Sequence, residues 1–335
     1  MKNRFIMINL CILISHSLLA QTKVGTSAVD FLGIGIGPNA IGMGSAVVSF
    51  QTGPSSMYWN PGIIGSQPKT EISFSQMNWL VGSKYNWLGA SFAINDASAF
   101  GFQIAHINYG EEDVTTELAP TGTGDKWDAK EMFLALTYSQ SLTDQFSIGT
   151  NLKYIRSQIY HEIAIAYALD FGLLYKTDWR GLRLGVSVSN FGSDIQYQGK
   201  DLFRSHDAEP NSSGNNGNIP AEIKTDSWPL PIFFKVGVSM EVYEDDLNKI
   251  TNSIDATRQS NNSESINVGL QYSWSNMIFI RGGYKNLFVT DAIDNLAFGF
   301  GLKYLVGNYN MKFDVSYQKL KVFDSILNYS VSIEI

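Results

Sequence analysis

Cysteine is almost absent from this 335-residue chain: the single one, Cys11, sits among the first twenty residues. Disulfides, thiolate metal sites and cysteine nucleophiles are therefore excluded from everything beyond them. Also missing after Ala20 is any apolar run approaching the roughly 18 residues of a helical membrane span. Charge is sparse, at 16% of residues, and the formal net charge of −7 comes without a basic cluster. An acidic chain of that kind is no partner for nucleic acid. Signatures of catalysis and nucleotide binding are lacking too. His106, His161 and His206 are far apart and form no H-E-x-x-H pair, no G-x-S-x-G elbow occurs, and the acidic stretch 109–130 lacks calcium-loop spacing. Gly33 and Gly35 begin a G-x-G, but Pro38 stands where a dinucleotide fingerprint needs glycine. Gly37 and Gly42 have P-loop spacing, but Met43 replaces its lysine. A non-enzymatic protein with no cofactor and no metal is expected.

The first twenty residues, with Lys2 and Arg4 ahead of an apolar run that ends at Ala20, read as a signal peptide cleaved near Ala20. Its loss moves the net charge from −7 to about −9, because Lys2 and Arg4 leave without an acid. From Thr70 onward about fourteen segments alternate apolar and polar residues with period two, each about nine to fourteen residues long, the reach of a tilted membrane strand. They fall at 70–80, 84–94, 97–108, 131–141, 145–157, 163–176, 181–190, 231–243, 248–257, 264–274, 276–284, 295–305, 308–318 and 326–335. In the last, Leu327, Tyr329, Val331 and Ile333 share one face against Asn328, Ser330, Ser332 and Glu334.

Two all-β solutions accept such faces: a secreted β-sandwich serving as an adhesin, and an outer-membrane barrel. The composition of the faces favours the barrel. The apolar faces carry aromatics near their ends, Trp87, Tyr138, Tyr154, Tyr175, Trp274 and Tyr304, as a lipid-facing band with interfacial girdles does. The opposite faces hold isolated charges, Lys153, Asp170, Lys235, Arg281, Lys303 and Asp314, which suit a lumen better than a dry core. Loop lengths agree. Connections after even strands are short, whereas the long ones, 109–130, 191–230, 285–294 and 319–325, follow odd strands.

One stretch before the strands reads differently. Residues 33–66 are rich in glycine yet also carry Met43, Val47, Val48, Phe50, Met57, Trp59, Ile63 and Ile64, too many apolar groups for a linker. The expectation is a plug packed inside the barrel, with residues 1–20 as leader, 21–66 as plug and 67–335 as an antiparallel transmembrane barrel of about fourteen strands.

Gly42-Met43-Gly44-Ser45-Ala46 and Tyr58-Trp59-Asn60-Pro61-Gly62 resemble the paired GMGGA-like and WNPAG-like motifs of the PorV/PorQ family of outer-membrane barrels, within the wider FadL-like group. Ala168-Leu169-Asp170-Phe171-Gly172, Ser189-Asn190-Phe191-Gly192 and residues 226–231 look similar in turn. The resemblance implies an outer-membrane location in a Gram-negative-type bacterium and a fourteen-stranded barrel with an N-terminal hatch. It also implies a role in type IX secretion, with secreted proteins or other secretion subunits as partners beside membrane lipid. FadL-like relatives imply the alternative, passive uptake of hydrophobic small molecules. No catalytic residue carries over.

Overall fold

The computed structural model describes residues 25–207, 211, 218–289 and 292–335. The expected signal peptide, and most of the polar run at 210–218, lie outside the described residues. Period-two alternation is realised as long antiparallel strands: β1 (Glu71–Asn78), β2 (Lys84–Asn95), β3 (Ser98–Asp113), β4 (Lys126–Ser141), β5 (Phe146–Ile159), β6 (Glu162–Lys176) and β7 (Arg183–Gly192). The second half supplies β8 (Phe233–Glu244), β9 (Asn248–Gln259), β10 (Ser265–Trp274), β11 (Ile278–Leu287), β12 (Asp294–Val306), β13 (Tyr309–Leu320) and β14 (Ile326–Glu334). Each pairs with its sequence neighbours, β7 meets β8 across the longest loop, and β1 meets β14 with Ile72 opposite Ile333 and Phe74 opposite Val331. The fourteen strands thus close into a barrel, which abolishes free sheet edges. A two-residue strand, Tyr197–Gln198, is added on β6 outside the cylinder's regular order.

The apolar faces point outward. Phe313 is 46% exposed while its strand neighbour Ser316 is 2% exposed, and β14 repeats the pattern with Leu327, Tyr329, Val331 and Ile333 outside and Asn328, Ser330 and Ser332 buried. A sandwich would bury the apolar side, so the adhesin reading is overturned by one closed sheet turned inside out. Tyr138, Tyr175, Trp274 and Tyr304 lie on the outer face as expected of a girdle. Trp87 does not: it is buried, 1% exposed, facing inward beside Tyr85. Both faces of β2 are apolar (Tyr85 and Trp87 against Leu88 and Phe92), so alternation alone left its sense open.

The acidic stretch 109–130 is less of a loop than expected. Strands β3 and β4 continue into it, with Glu111 opposite Asp128 and Asp113 opposite Lys126. A ladder needs no apolar face where it projects past the apolar band of the barrel, so its pattern fades while its hydrogen bonds persist. The connections after even strands are all short and share one end of the barrel, the end that faces the periplasm in proteins of this architecture; the other end carries the long loops and also one tight turn, Tyr160-His161 between β5 and β6.

Candidate functional site

The lumen is filled by residues 28–66. They fold into short helical turns, a 3-10 turn at Asp30–Gly33, then α1 (Pro38–Gly42), α2 (Ser56–Trp59) and α3 (Gly62–Ser66). Local chemistry explains the turns. Pro38 occupies the first position of α1, where its fixed φ suits a helix and its missing N–H costs nothing. Asn60 opens α3: its Oδ1 accepts from the Gly62 amide at 3.0 Å, an Asx turn. The same side chain's Nδ2 donates to Val48 O at 2.8 Å and to Leu173 O at 2.9 Å, tying two parts of the plug to the wall. Trp59 Nε1 donates to Ile36 O at 2.8 Å, and Tyr58 Oη to Leu32 O at 2.9 Å. Burial, with the charge of Asp170 adding to it, raises the Tyr58 phenol well above its ordinary range, so it stays a donor.

The glycines of the two sequence motifs meet glycines of the wall. A Cβ on Gly42 would lie 2.8 Å from Gly299 Cα, one on Gly44 2.7 Å from Tyr284 N, and one on Gly62 2.9 Å from Gly172 O. The wall is equally intolerant: a Cβ on Gly149 would come within 2.7 Å of Gly62 N, and one on Gly283 within 2.6 Å of Gly44 Cα. Backbone therefore packs directly on backbone, which only paired glycines allow. Met43 stands between Gly42 and Gly44 fully buried, and Pro61 fits against Gly149 and Gly172.

Of the six isolated charges read from the sequence, Lys153, Asp170 and Lys235 meet the plug, whereas Arg281, Asp314 and Lys303 line the cavity side toward the turns after even strands. Lys153 Nζ and Asp170 Oδ2 form a buried ion pair at 2.7 Å. Asn151 donates to the same carboxylate oxygen at 2.7 Å, the Asn190 amide to Asp170 Oδ1 at 2.8 Å, and Lys153 donates to Asn190 Oδ1 at 2.8 Å. Asn190 adopts φ 65° at a bulge where β6 and β7 slip register, which turns its amide inward. Lys235 lies over three rings, 4.7 Å from the centroid of Trp59, 5.2 Å from Phe233 and 5.4 Å from Tyr58. Arg281 pairs with Asp314 at 2.5 Å and donates to Gln271 at 2.7 Å. Lys303 stands 3.8 Å from Glu334. The plug makes the middle of the lumen dry, so charges expected in water are instead paired or ringed by aromatics.

Sequence reasoning missed the residue that grips the plug most directly. Asp255 on β9 is fully buried, and its Oδ2 accepts from the Val47 amide at 2.6 Å and the Val48 amide at 2.8 Å. Its inward position on an alternating strand was readable; that two plug amides converge on it was not.

Plug and wall divide the lumen into two environments. Outward of the plug motifs, Tyr85, Trp87, Ile107, Phe133 and Ile155 of the wall pack with Phe31, Leu32 and Ile36 into one continuous apolar core. The Phe31 and Phe133 ring centroids are 6.4 Å apart. At the end of the barrel that carries the turns after even strands lies a 420 Å³ cavity roofed by the plug and walled largely by charged and hydroxyl side chains.

No family model matches the chain, and no curated protein matches it. Solved structures do. The Pseudomonas putida toluene transporter TodX superposes with a TM-score of 0.58 at 14% identity, covering 90% of this chain and 98% of that one. For the Ralstonia pickettii toluene transporter TbuX the values are 0.56 and 14%, with 90% and 98% covered. A Pseudomonas aeruginosa FadL homologue gives 0.52 and 11%, with 94% and 99% covered. These likenesses establish the fold, an all-β fourteen-stranded barrel of FadL type with an N-terminal helical segment inside.

Proposed function

We propose that this protein is a plugged outer-membrane channel through which hydrophobic small molecules pass passively. The observation that carries the reading is the apolar outer lumen. Barrel interiors of this class are ordinarily polar, yet here Tyr85, Trp87, Ile107, Phe133 and Ile155 line the wall together and the plug meets them with Phe31, Leu32 and Ile36. Such a lining lowers the cost of desolvating an apolar solute and offers a charged one nothing. The likeness to toluene transporters supports the same choice over the secretion role that the sequence motifs suggest. Passage requires the plug to shift, because its packed residues close the lumen above the cavity.

The test locks the plug to the wall. Val48→Cys with Gly237→Cys places two β-carbons about 3.2 Å apart, within a few tenths of an ångström of disulfide geometry, and the displaced neighbour is the Asp255 side chain. Oxidised cells are expected to lose uptake of an apolar fluorescent tracer and to regain it on reduction. Undiminished uptake with the crosslink complete would refute the channel.

A second reading keeps type IX secretion, and one feature favours it. The long loop after β7 raises a separate hairpin, Phe203–His206 against Ile219–Glu222, in which Phe203 and Ile219 are exposed. Exposed apolar groups on a projecting hairpin suit a protein partner. Mild-detergent pull-down from outer membranes decides it. Recovery with secretion subunits, or with secreted proteins sharing a C-terminal domain, supports this role, and recovery alone removes it.

A further inference from the structure

The lipid-facing side of the wall is not evenly filled. Tyr138, Thr150, Phe171 and Val188 stand side by side on β4, β5, β6 and β7, and Gln140, Ile148 and Val186 belong to the next row toward the short turns. The rings of Tyr138 and Phe171 are exposed and rise over the shorter Thr150 and Val188, which leaves a 460 Å³ groove in the outer face. Its floor includes the backbone of Gly149 and Gly172, whose inner side seats Pro61 of the plug.

The groove lies within the apolar band of the barrel, so the bilayer supplies its occupant. Phe171 stands six positions before Thr177, where β6 gives way to its turn. On a strand tilted by about 40° that is about 15 Å of depth, the thickness of one leaflet's hydrocarbon. Gln140, two positions before the turn residue Leu142, lies only about 5 Å deep. The groove thus runs from the glycerol level toward the bilayer midplane, the path of an acyl chain. Gln140 is also the wrong residue for a wall that meets only hydrocarbon. Tyr138 Oη donates to its Oε1 at 3.2 Å, while its Nε2 donates to no protein group among the described residues. An exposed amide at that depth calls for an acceptor, and the ester carbonyl of a lipid is the one at hand.

We infer that this groove is a binding site for one diacyl phospholipid of the leaflet on the side of the short turns, an acyl chain lying between Tyr138 and Phe171 and its ester carbonyl accepting from Gln140 Nε2. Hydrocarbon gains no hydrophobic energy in moving from lipid to protein, so dispersion against the groove's walls holds the chain, and the amide adds a preference for ester over ether. The site is independent of the channel reading, because it faces lipid and is filled without moving the plug.

Native mass spectrometry of the full barrel in mild detergent tests this, with palmitoyl-oleoyl-phosphatidylethanolamine and with the diether lipid of the same chains and head group. The ester lipid is expected to saturate at one molecule per barrel and to be held about threefold more tightly than the ether lipid, the worth of one neutral hydrogen bond. Val186→Trp, which fills the groove from its own lining, is expected to lose about tenfold for both lipids. Gln140→Leu, a change that a lipid-facing wall accepts, is expected to hold ester and ether lipid alike, at the parent's affinity for the ether. Retention without a plateau at one molecule, equal retention of the two lipids by the parent, or one lipid held equally by the parent and both correctly folded variants overturns the site. A doubled protein mass in place of bound lipid also overturns it and gives the face to a second copy of this chain. Uptake through a locked plug is a separate measurement, so this site and the channel reading can each fail alone.

Discussion

Replacing Asp255 tests how the plug is held. Its Oδ2 receives the Val47 and Val48 amides at 2.6 and 2.8 Å in a fully buried setting. Leaving a buried amide without its acceptor costs about 1–3 kcal/mol, so Asp255→Ala, which strands two, removes about 2–6 kcal/mol of plug docking. At about 1.4 kcal/mol per factor of ten, the undocked population rises by roughly thirtyfold to 10⁴-fold. A cysteine at Ser56, which is fully buried on α2, reports that population, because the chain beyond its expected leader has no other thiol. A membrane-impermeant maleimide applied to solubilised barrel should label Ser56→Cys slowly in the parent. In Asp255→Ala it should label at least about thirtyfold faster, with Asp255→Asn in between because its amide oxygen still accepts. Labelling that changes by less than about threefold, in a barrel that still shifts on a gel before and after boiling, would refute the view that Asp255 anchors the plug.

Two further outcomes follow from the same contacts. Lys153→Met leaves Asp170 buried without its cation and should cost about 3–5 kcal/mol, whereas Lys153→Met/Asp170→Leu should recover most of the loss; the unfolding midpoint followed by gel shift measures both. Gly149→Ala drives a methyl into Pro61 and Gly62 and should cost about 1–3 kcal/mol of plug docking, read as faster Ser56→Cys labelling with the barrel midpoint little changed.

The barrel itself was legible because a membrane strand's instructions are local. Period two fixes which residues share a face, and lipid on one side demands that the face be apolar, so residues 308–318 and 326–335 announce their orientation without reference to any neighbour. The plug was legible for a related reason: glycines interleaved with large apolar residues at 33–66 have no stable solution as an exposed linker. Trp87 marks where this logic stops. With both faces of its strand apolar, only the closed cylinder decided that the ring turns inward to join the apolar lumen.

What the sequence by itself determined is the architecture: secretory leader expected, plug, fourteen alternating strands, and a set of inward charges. Which of those charges touch each other was a matter for tertiary structure alone. Lys153 and Asp170 lie on adjacent strands at positions set by register, while Asp255 finds Val47 and Val48 more than 200 residues away. The glycine-on-glycine seats of Gly42 on Gly299 and Gly44 against Gly283 depend likewise on where the plug comes to rest. Periodicity is a property of neighbours along the chain, but contact between plug and wall is a property of closure, and a single chain read in order contains no measure of it.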